Sequence, residues 1–296
     1  MSGVRRVLSG LGVVAAVAAG LAIVASAYVH VASERVIHRQ YEAPLEPVAI
    51  PSDPASIAEG RRLATIRGCN GGCHGEGIEG EVWVDDVREG RAVAPNLTAV
   101  AHDFSLAELA RVIRYGVRPN GEGVQIMPSP MFYHLSDADL GRIIAFLRSV
   151  PRVDGHPYEF RPGPYTRWMI AKGEWLPWPE DIAMMGPRMP TPSAADTLRF
   201  GEYLARTVCT ECHGNELEGG DGTPDLVIGA AYEPADFARL MRTGVALGSR
   251  EVGLMSEVAR SRFRHFTDAE VRALHAFLKA RAAEHTAPGG RRERRE

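Results

Sequence analysis

The chain has 296 residues, 34 Lys and Arg against 37 Asp and Glu, and 45% hydrophobic residues. That length accommodates one large or two small domains with cores of their own, and its four cysteines, in two local pairs, exclude a disulfide framework. Setting aside Arg5, Arg6, Arg291, Arg292, Arg294 and Arg295 on one side and Glu293 and Glu296 on the other leaves 28 basic against 35 acidic side chains, a balance that gives no nucleic-acid surface.

Arg5 and Arg6 precede an uncharged run from Val7 to Ser33, of which Val7 to Val29 alone is 23 residues. As a helix those residues extend about 35 Å, enough for a bilayer core of roughly 30 Å. Residues 1–33 are therefore expected to be a transmembrane anchor in contact with lipid, in an inner membrane. The flanking positive charge puts the amino end in the cytoplasm and the rest on the periplasmic or outer side. Ala25-Ser26-Ala27 also fits a signal-peptide cleavage site, an alternative disfavoured by the length of the apolar run.

The next feature is Cys69-Asn70-Gly71-Gly72-Cys73-His74, where two cysteines and a histidine fall within six residues. Haem attachment, metal binding and dithiol chemistry all use such residues. Two zinc ions need more soft ligands than the clusters provide, and one zinc shared by four cysteines leaves both adjacent histidines unexplained. A redox dithiol needs a strand and then a helix at its cysteines, a context absent here. The second cluster, Cys209-Thr210-Glu211-Cys212-His213, has the C-x2-C-H spacing of c-type haem attachment, in which two thiols add to the haem vinyl groups and the histidine binds iron.

The two clusters sit in a repeated frame. Glu59-Gly60 and the cysteine segment after it match Phe200-Gly201 and its cysteines; Ala94–Thr98 matches Thr223–Val227; Glu108–Val117 matches Asp236–Val245; Leu135–Ser149 matches Phe266–Ala280. Five features in one order identify a duplication, with units at 53–151 and 194–283. Apolar spacing predicts helices before each cysteine pair and at each unit's end. In the terminal helices Ser136 and Thr267 are N-caps, with Asp139 and Glu270 completing capping boxes. Leu140, Ile143, Ile144 and Leu147 form one apolar face, and Val271, Leu274, Phe277 and Leu278 its copy. The expected fold is all-α, two helical domains after one transmembrane helix. Their Gly- and Pro-rich loops are long enough to enclose a large cofactor. Residues 152–193, rich in Pro and holding Trp168, Trp175 and Trp178, read as an ordered strap across both units with little regular structure; 284–296 reads as a disordered basic tail.

These residues resemble class I c-type cytochrome domains in tandem, and the architecture resembles membrane-anchored dihaem cytochromes c that serve bacterial respiratory and dehydrogenase complexes. The resemblance covers about two-thirds of the chain and omits the anchor, strap and tail. It implies two covalently attached haem c groups, at Cys69, Cys73 and His74 and at Cys209, Cys212 and His213. It also implies methionine sixth ligands from the loop before each last helix, Met127 and Met255. The spacing agrees: Gly116 to Met127 and Gly244 to Met255 are both eleven residues, whereas Met131 has no counterpart and Met241 lies in a helical pattern. Met189, in a strap sequence that mimics the ligand loop, is an outside rival. Pro95 and Pro224 match the family's proline whose carbonyl meets the proximal imidazole, and Arg118 a residue facing a propionate. Trp83, Tyr115 and Tyr133 are candidates for lining the first pocket. The C-x3-C-H spacing departs from the family and puts the Cys69 thioether in doubt, unless Gly71 and Gly72 loop the extra residue outward.

His/Met ligation leaves no open iron position, and His102, His134, His156, His265 and His275 are scattered. The expected role is one-electron relay between a redox-protein donor and acceptor, without independent catalysis. The alternatives are a haem enzyme such as a dihaem peroxidase and a docking, electron-transfer subunit of a dehydrogenase or respiratory complex.

Overall fold

A computed structural model of the chain describes residues 2–175, 177–220 and 222–286. Of the tail expected to be disordered, 284–296, residues 284–286 instead continue the last helix, and 287–296, with its four arginines, lies outside the described residues. Helix α1 (Ser2–Ile37) contains a stretch, Leu8–Ile37, long and apolar enough to cross a membrane. Its residues from Leu8 to Tyr28 are all exposed, the surface of a helix consistent with a membrane anchor.

The rest is mostly helical and follows the duplication. The first repeat runs through α2 (Pro54–Ile66), strands β1 (Glu81–Asp86) and β2 (Gly90–Ala94), α3 (Leu97–Asp103), α4 (Leu106–Tyr115), α5 (Ser129–Tyr133) and α6 (Asp137–Ser149). The intervening segment supplies β3 (Glu159–Pro162), α7 (Pro164–Lys172) and α8 (Trp178–Met184). The second repeat has α9 (Thr197–Leu204), α10 (Thr210–His213), α11 (Pro234–Thr243), α12 (Leu254–Ser261) and α13 (Asp268–Thr286).

Two expectations are corrected. The fold is not purely helical: β1, β2 and β3 form an antiparallel sheet in that order, with Val84 opposite Ala92 and Val93 opposite Glu159. The β-branched and aromatic run Val82-Trp83-Val84 and a turn closed by Asp86, whose carboxylate accepts from the amides of Arg88 (2.7 Å) and Glu89 (2.9 Å), make the hairpin. The strap, for its part, contains two helices and the sheet's third strand, because its prolines stand at helix starts, where the missing N–H costs nothing.

In each repeat the helix that precedes the cysteines crosses the last helix at a glycine. A Cβ on Gly60 would lie 1.9 Å from the carbonyl oxygen of Arg142, and one on Gly201 2.1 Å from that of Ala273. Positions 142 and 273 are each six residues after their N-caps, so the duplication extends to the contact itself. Around the crossings Leu63, Leu140, Ile144, Leu204 and Leu274 are buried in one hydrophobic core that runs through both repeats.

The repeats grip one another reciprocally. Arg62, two residues after Gly60, donates to both carboxylate oxygens of Glu270 (2.8 Å each) and to the carbonyl of His265 (2.9 Å). Tyr203, two residues after Gly201, donates its hydroxyl to Asp139 (2.6 Å) and accepts from the amide of Ser136 (3.2 Å). Only the second expected capping box is therefore complete, with Glu270 accepting from the Thr267 amide (2.6 Å) and Thr267 from that of Glu270 (3.2 Å). In the first repeat Ser136 caps Asp139 (3.1 Å), but Tyr203 takes the amide that Asp139 would have bound.

Below α1 the chain is tied to the body. Arg167 on α7 donates to Ser33 (2.8 Å) and Glu34 (2.7 Å), and His38 lies 3.1 Å from Glu34 and 2.8 Å from Glu122. The Glu122 hydrogen bond holds His38 above the ordinary imidazole range.

Two outcomes follow. Gly60→Ala and Gly201→Ala should each destabilise the fold by about 1–3 kcal/mol through overpacking, despite alanine's better helix propensity, and lower the thermal midpoint by several degrees. Because the folded pKa of His38 is raised, its stabilising effect is complete below the unfolded value of about 6.5 and lost as pH climbs through the folded value. Hydrogen exchange at the amide of Tyr41, bonded to Gly121 at 2.9 Å, corrected for intrinsic rate, should therefore speed up as pH rises above about 6.5, and His38→Gln should abolish that dependence.

Candidate haem-binding site

The first cysteine segment leaves α2 through Gly68, in the left-handed region at φ 77°, and turns once over Cys69–Cys73. Asn70 is extended (φ −110°, ψ 145°), Gly71 left-handed (φ 64°), and the Cys73 amide reaches back to the carbonyl of Gly68 at 2.9 Å. A Cβ on Gly71 would meet nothing within 4 Å, so the extra residue of the C-x3-C spacing bulges into open space. The second segment reaches Cys209 through a wide helical turn (Ala205–Cys209) and continues as α10.

Both histidines take the same orientation. The Nδ1 of His74 lies 2.8 Å from the carbonyl oxygen of Pro95, and that of His213 lies 2.8 Å from the carbonyl of Pro224. A carbonyl only accepts, so each Nδ1 carries the proton and each Nε2 keeps its lone pair. Burial lowers both imidazole pKa values, opposed by the carbonyl contacts, which keeps the rings neutral as metal binding requires.

Cys69, Cys73, His74, Pro95 and Met127 border a single cavity of about 520 Å³, with Trp83, Arg118 and the strap residues Val153–Phe160 on its other walls. That is the size range of small-molecule and cofactor sites. The strap is pinned there by backbone hydrogen bonds from Asn96 to His156 (2.7 Å) and from His156 to Glu79 (2.9 Å). Arg118 stacks its guanidinium 4.5 Å above the ring of Tyr158 and pairs with Glu122. Tyr115 and Tyr133, expected in this pocket, lie elsewhere: Tyr115 donates to Glu46 (2.8 Å), and Tyr133 packs edge-on against it. In the second repeat Met255 stands at the start of α12, half-buried, and both it and Cys209 pack against the core. The rival methionines have packing roles; Met131 and Met241 are buried in the core, and Met189 borders it.

All four cysteines are unpaired thiols. Burial is the main reason Cys69 and Cys209 are pushed up to about 12 and Cys73 to about 11. Among the described residues no group of three His, Cys, Asp or Glu side chains is arranged to hold a metal ion, so the cysteines are not gathered for a shared zinc. Outside the two clusters, His102, His134 and His275 bond to backbone groups.

Sequence reasoning missed the link between the clusters. Arg262 lies over Gly68 and Gly72, where Cβ atoms would come within 2.5 and 2.9 Å of its guanidinium, and hydrogen-bonds Cys73. The same side chain pairs with Glu211 (3.3 Å), which belongs to the second cluster yet also borders the first cavity. Nothing in the local pattern around Arg262 marks it; only the packing of the repeats brings it there.

Comparison with known proteins agrees with this chemistry. Residues 196–278 match the family described as cytochrome c oxidase, cbb3-type, subunit III, a span that includes Cys209, Cys212, His213, Pro224 and Met255. The chain is also 23% identical, over 282 aligned residues, to the fructose dehydrogenase cytochrome subunit of Gluconobacter japonicus. That alignment covers 80% of this chain and 55% of the relative, so the chain spans about half the length of the curated relative it matches. The protein is thus related to a c-type cytochrome family, and a general electron-transfer role accords with both similarities.

Gly71→Ala should cost about 1–2 kcal/mol from the left-handed backbone alone. Gly68→Ala should cost more, because it also displaces Arg262, and Arg262→Ala should relieve that surplus. A double-mutant cycle on thermal midpoints checks this: additive effects would rule out the steric link.

Proposed function

We propose that this protein is the membrane-anchored cytochrome subunit of a dehydrogenase or respiratory complex, and that it carries two covalently attached haem c groups. The observation that carries the reading is the duplicated His–Pro carbonyl contact beside paired thiols, joined in the first repeat to Met127 by one cavity. Both proteins found similar are named as subunits of larger enzymes, which favours a docking subunit over a free-standing relay.

The residues present fit haem. Cys69 and Cys73, and Cys209 and Cys212, would form the thioether links, with the Gly71 bulge absorbing the extra residue. His74 and Met127 would hold the iron at one site, and His213 and Met255 at the other. Haem, when bound, supplies a reversible one-electron change at iron, with its potential raised by a thioether ligand. The protein's own residues do the remainder. Pro95 and Pro224 fix the imidazoles and their tautomer, and the strap with β2 keeps water from the first cavity. Arg118 supplies positive charge suited to a propionate. Arg262 and Glu211 hold the two clusters against each other. Helix α1 keeps the assembly at the membrane, with the haem-bearing body on the periplasmic side. A redox protein partner delivers the electron and another receives it.

Denatured wild-type protein should retain two haems per chain, and Cys209→Ala with Cys212→Ala should retain one; a single haem in the wild type would remove the first site from this reading. Met127→His and Met255→His should each lower the potential of one haem without detaching it. Met131→Leu and Met189→Leu should leave both thioether-to-iron absorption bands intact. Native electrophoresis of detergent extracts separates the roles: co-migration with a dehydrogenase or oxidase supports the subunit, and migration alone returns the protein to a free-standing relay.

A further inference from the structure

Helix α7 is amphipathic in a way that the haem site does not use. Thr166 and Ile170 are buried, whereas Tyr165, Trp168 and Lys172 recur at three- and four-residue intervals on its outer face. Tyr165 is 43% exposed and Trp168 44%, their rings 6.2 Å apart. Cations cover both: the Lys172 ammonium lies 4.1 Å from the Trp168 ring, and the Arg88 guanidinium 5.3 Å from that of Tyr165. Arg88 belongs to the β1–β2 turn, where Val87 is 91% exposed and the Arg88 carbonyl accepts from the Tyr165 amide at 3.0 Å.

The position of this face identifies its occupant. Helix α7 packs on the end of α1, with Arg167 bonded to Ser33 and Glu34. Residues Leu8 to Tyr28 of α1 touch none of the body closely enough to lose exposure, and Ser33 is its first buried residue. With α1 read as a membrane span, the junction between its exposed and docked parts marks the edge of the bilayer, and α7 packs there. Tryptophan and tyrosine rings with lysine and arginine beside them are the side chains that settle between headgroups and acyl chains.

We infer that the outer face of α7, with the Val87–Arg88 turn, is a second membrane contact: an interfacial surface that binds the phospholipid headgroup layer of the bilayer that α1 crosses. Tyr165, Trp168 and Val87 enter the acyl boundary, and Arg88 and Lys172 meet the phosphates. Such a contact fixes the body's tilt about α1, and through the strap it fixes which side of the first cavity faces the membrane. It rests on the reading of α1 as a membrane span.

The test places a photoreactive benzoylphenylalanine at position 165, 168, 21 or 228 of the full chain, reconstituted in phospholipid nanodiscs, and measures lipid adducts by mass spectrometry. Position 21 reports on α1, and Ile228, half-exposed in the second repeat, is the control. Adducts at 165 and 168 several-fold above those at 228 support the inference, as does their loss in the Val87→Glu, Lys172→Glu variant with α1 still labelled. Adducts at 21 without adducts at 165 and 168 overturn it and leave the anchor standing. No adduct at 21 overturns both, and cross-linking of 168 to a protein in native membranes assigns the face to that protein instead.

Discussion

The reciprocal insertion of Arg62 and Tyr203 into the opposite repeat governs most of this structure. Each side chain projects from the helix that precedes a cysteine pair and ends at the N-terminus of the other repeat's last helix. Breaking a partly buried ion pair such as Arg62–Glu270 leaves an uncompensated carboxylate, so the register of the two repeats is strongly specified. The register puts the wide turn before Cys209 beside α5 and Arg62's helix beside the segment that precedes α13. From that placement follow the bridge of Arg262 to Glu211 and the nearness of the two clusters.

Within each repeat the site depends on backbone more than on side-chain chemistry. A proline carbonyl aimed at Nδ1 selects the tautomer, and a helix crossing at glycine sets the distance between the helix that precedes the cysteines and the last helix. The two repeats share both devices and differ in what covers them. The first has a hairpin insertion and a strap over its cavity, and the second has neither sheet nor strap residues among the partners of His213 and Pro224. The grip on the imidazole is thus the same in both repeats, while its surroundings differ.

The anchor and the body meet through a collar of charges. Glu34, His38, Glu122, Arg118 and Arg167 form a connected set running from the end of α1 to the wall of the first cavity. Exposed ion pairs contribute little singly. Their worth here is orientation, since they join the membrane helix to the cavity wall through Arg118 and to α7 through Arg167.

Much of the site was legible in the sequence because its signals are local. The C-x2-C-H spacing, the N-caps at Ser136 and Thr267, the apolar faces of the last helices and the length of α1 each need only a few neighbouring residues, whereas Pro95 and Pro224 were indicated by the family resemblance alone. The β1–β2 hairpin was legible too, in Val82-Trp83-Val84 and the Asp86 turn, but a helical frame obscured it. Sequence alone therefore gives the paired thiols and histidine of each cluster and the common order of the motifs around them. Tertiary structure alone decided that Tyr203 displaces half of a capping box, that the strap folds and walls a cavity, and that Tyr115 turns to Glu46. It alone brought Arg262 over the glycines of the first cluster. These contacts join residues far apart in the chain, and their partners are chosen by the geometry of helix crossings, which no local spacing encodes.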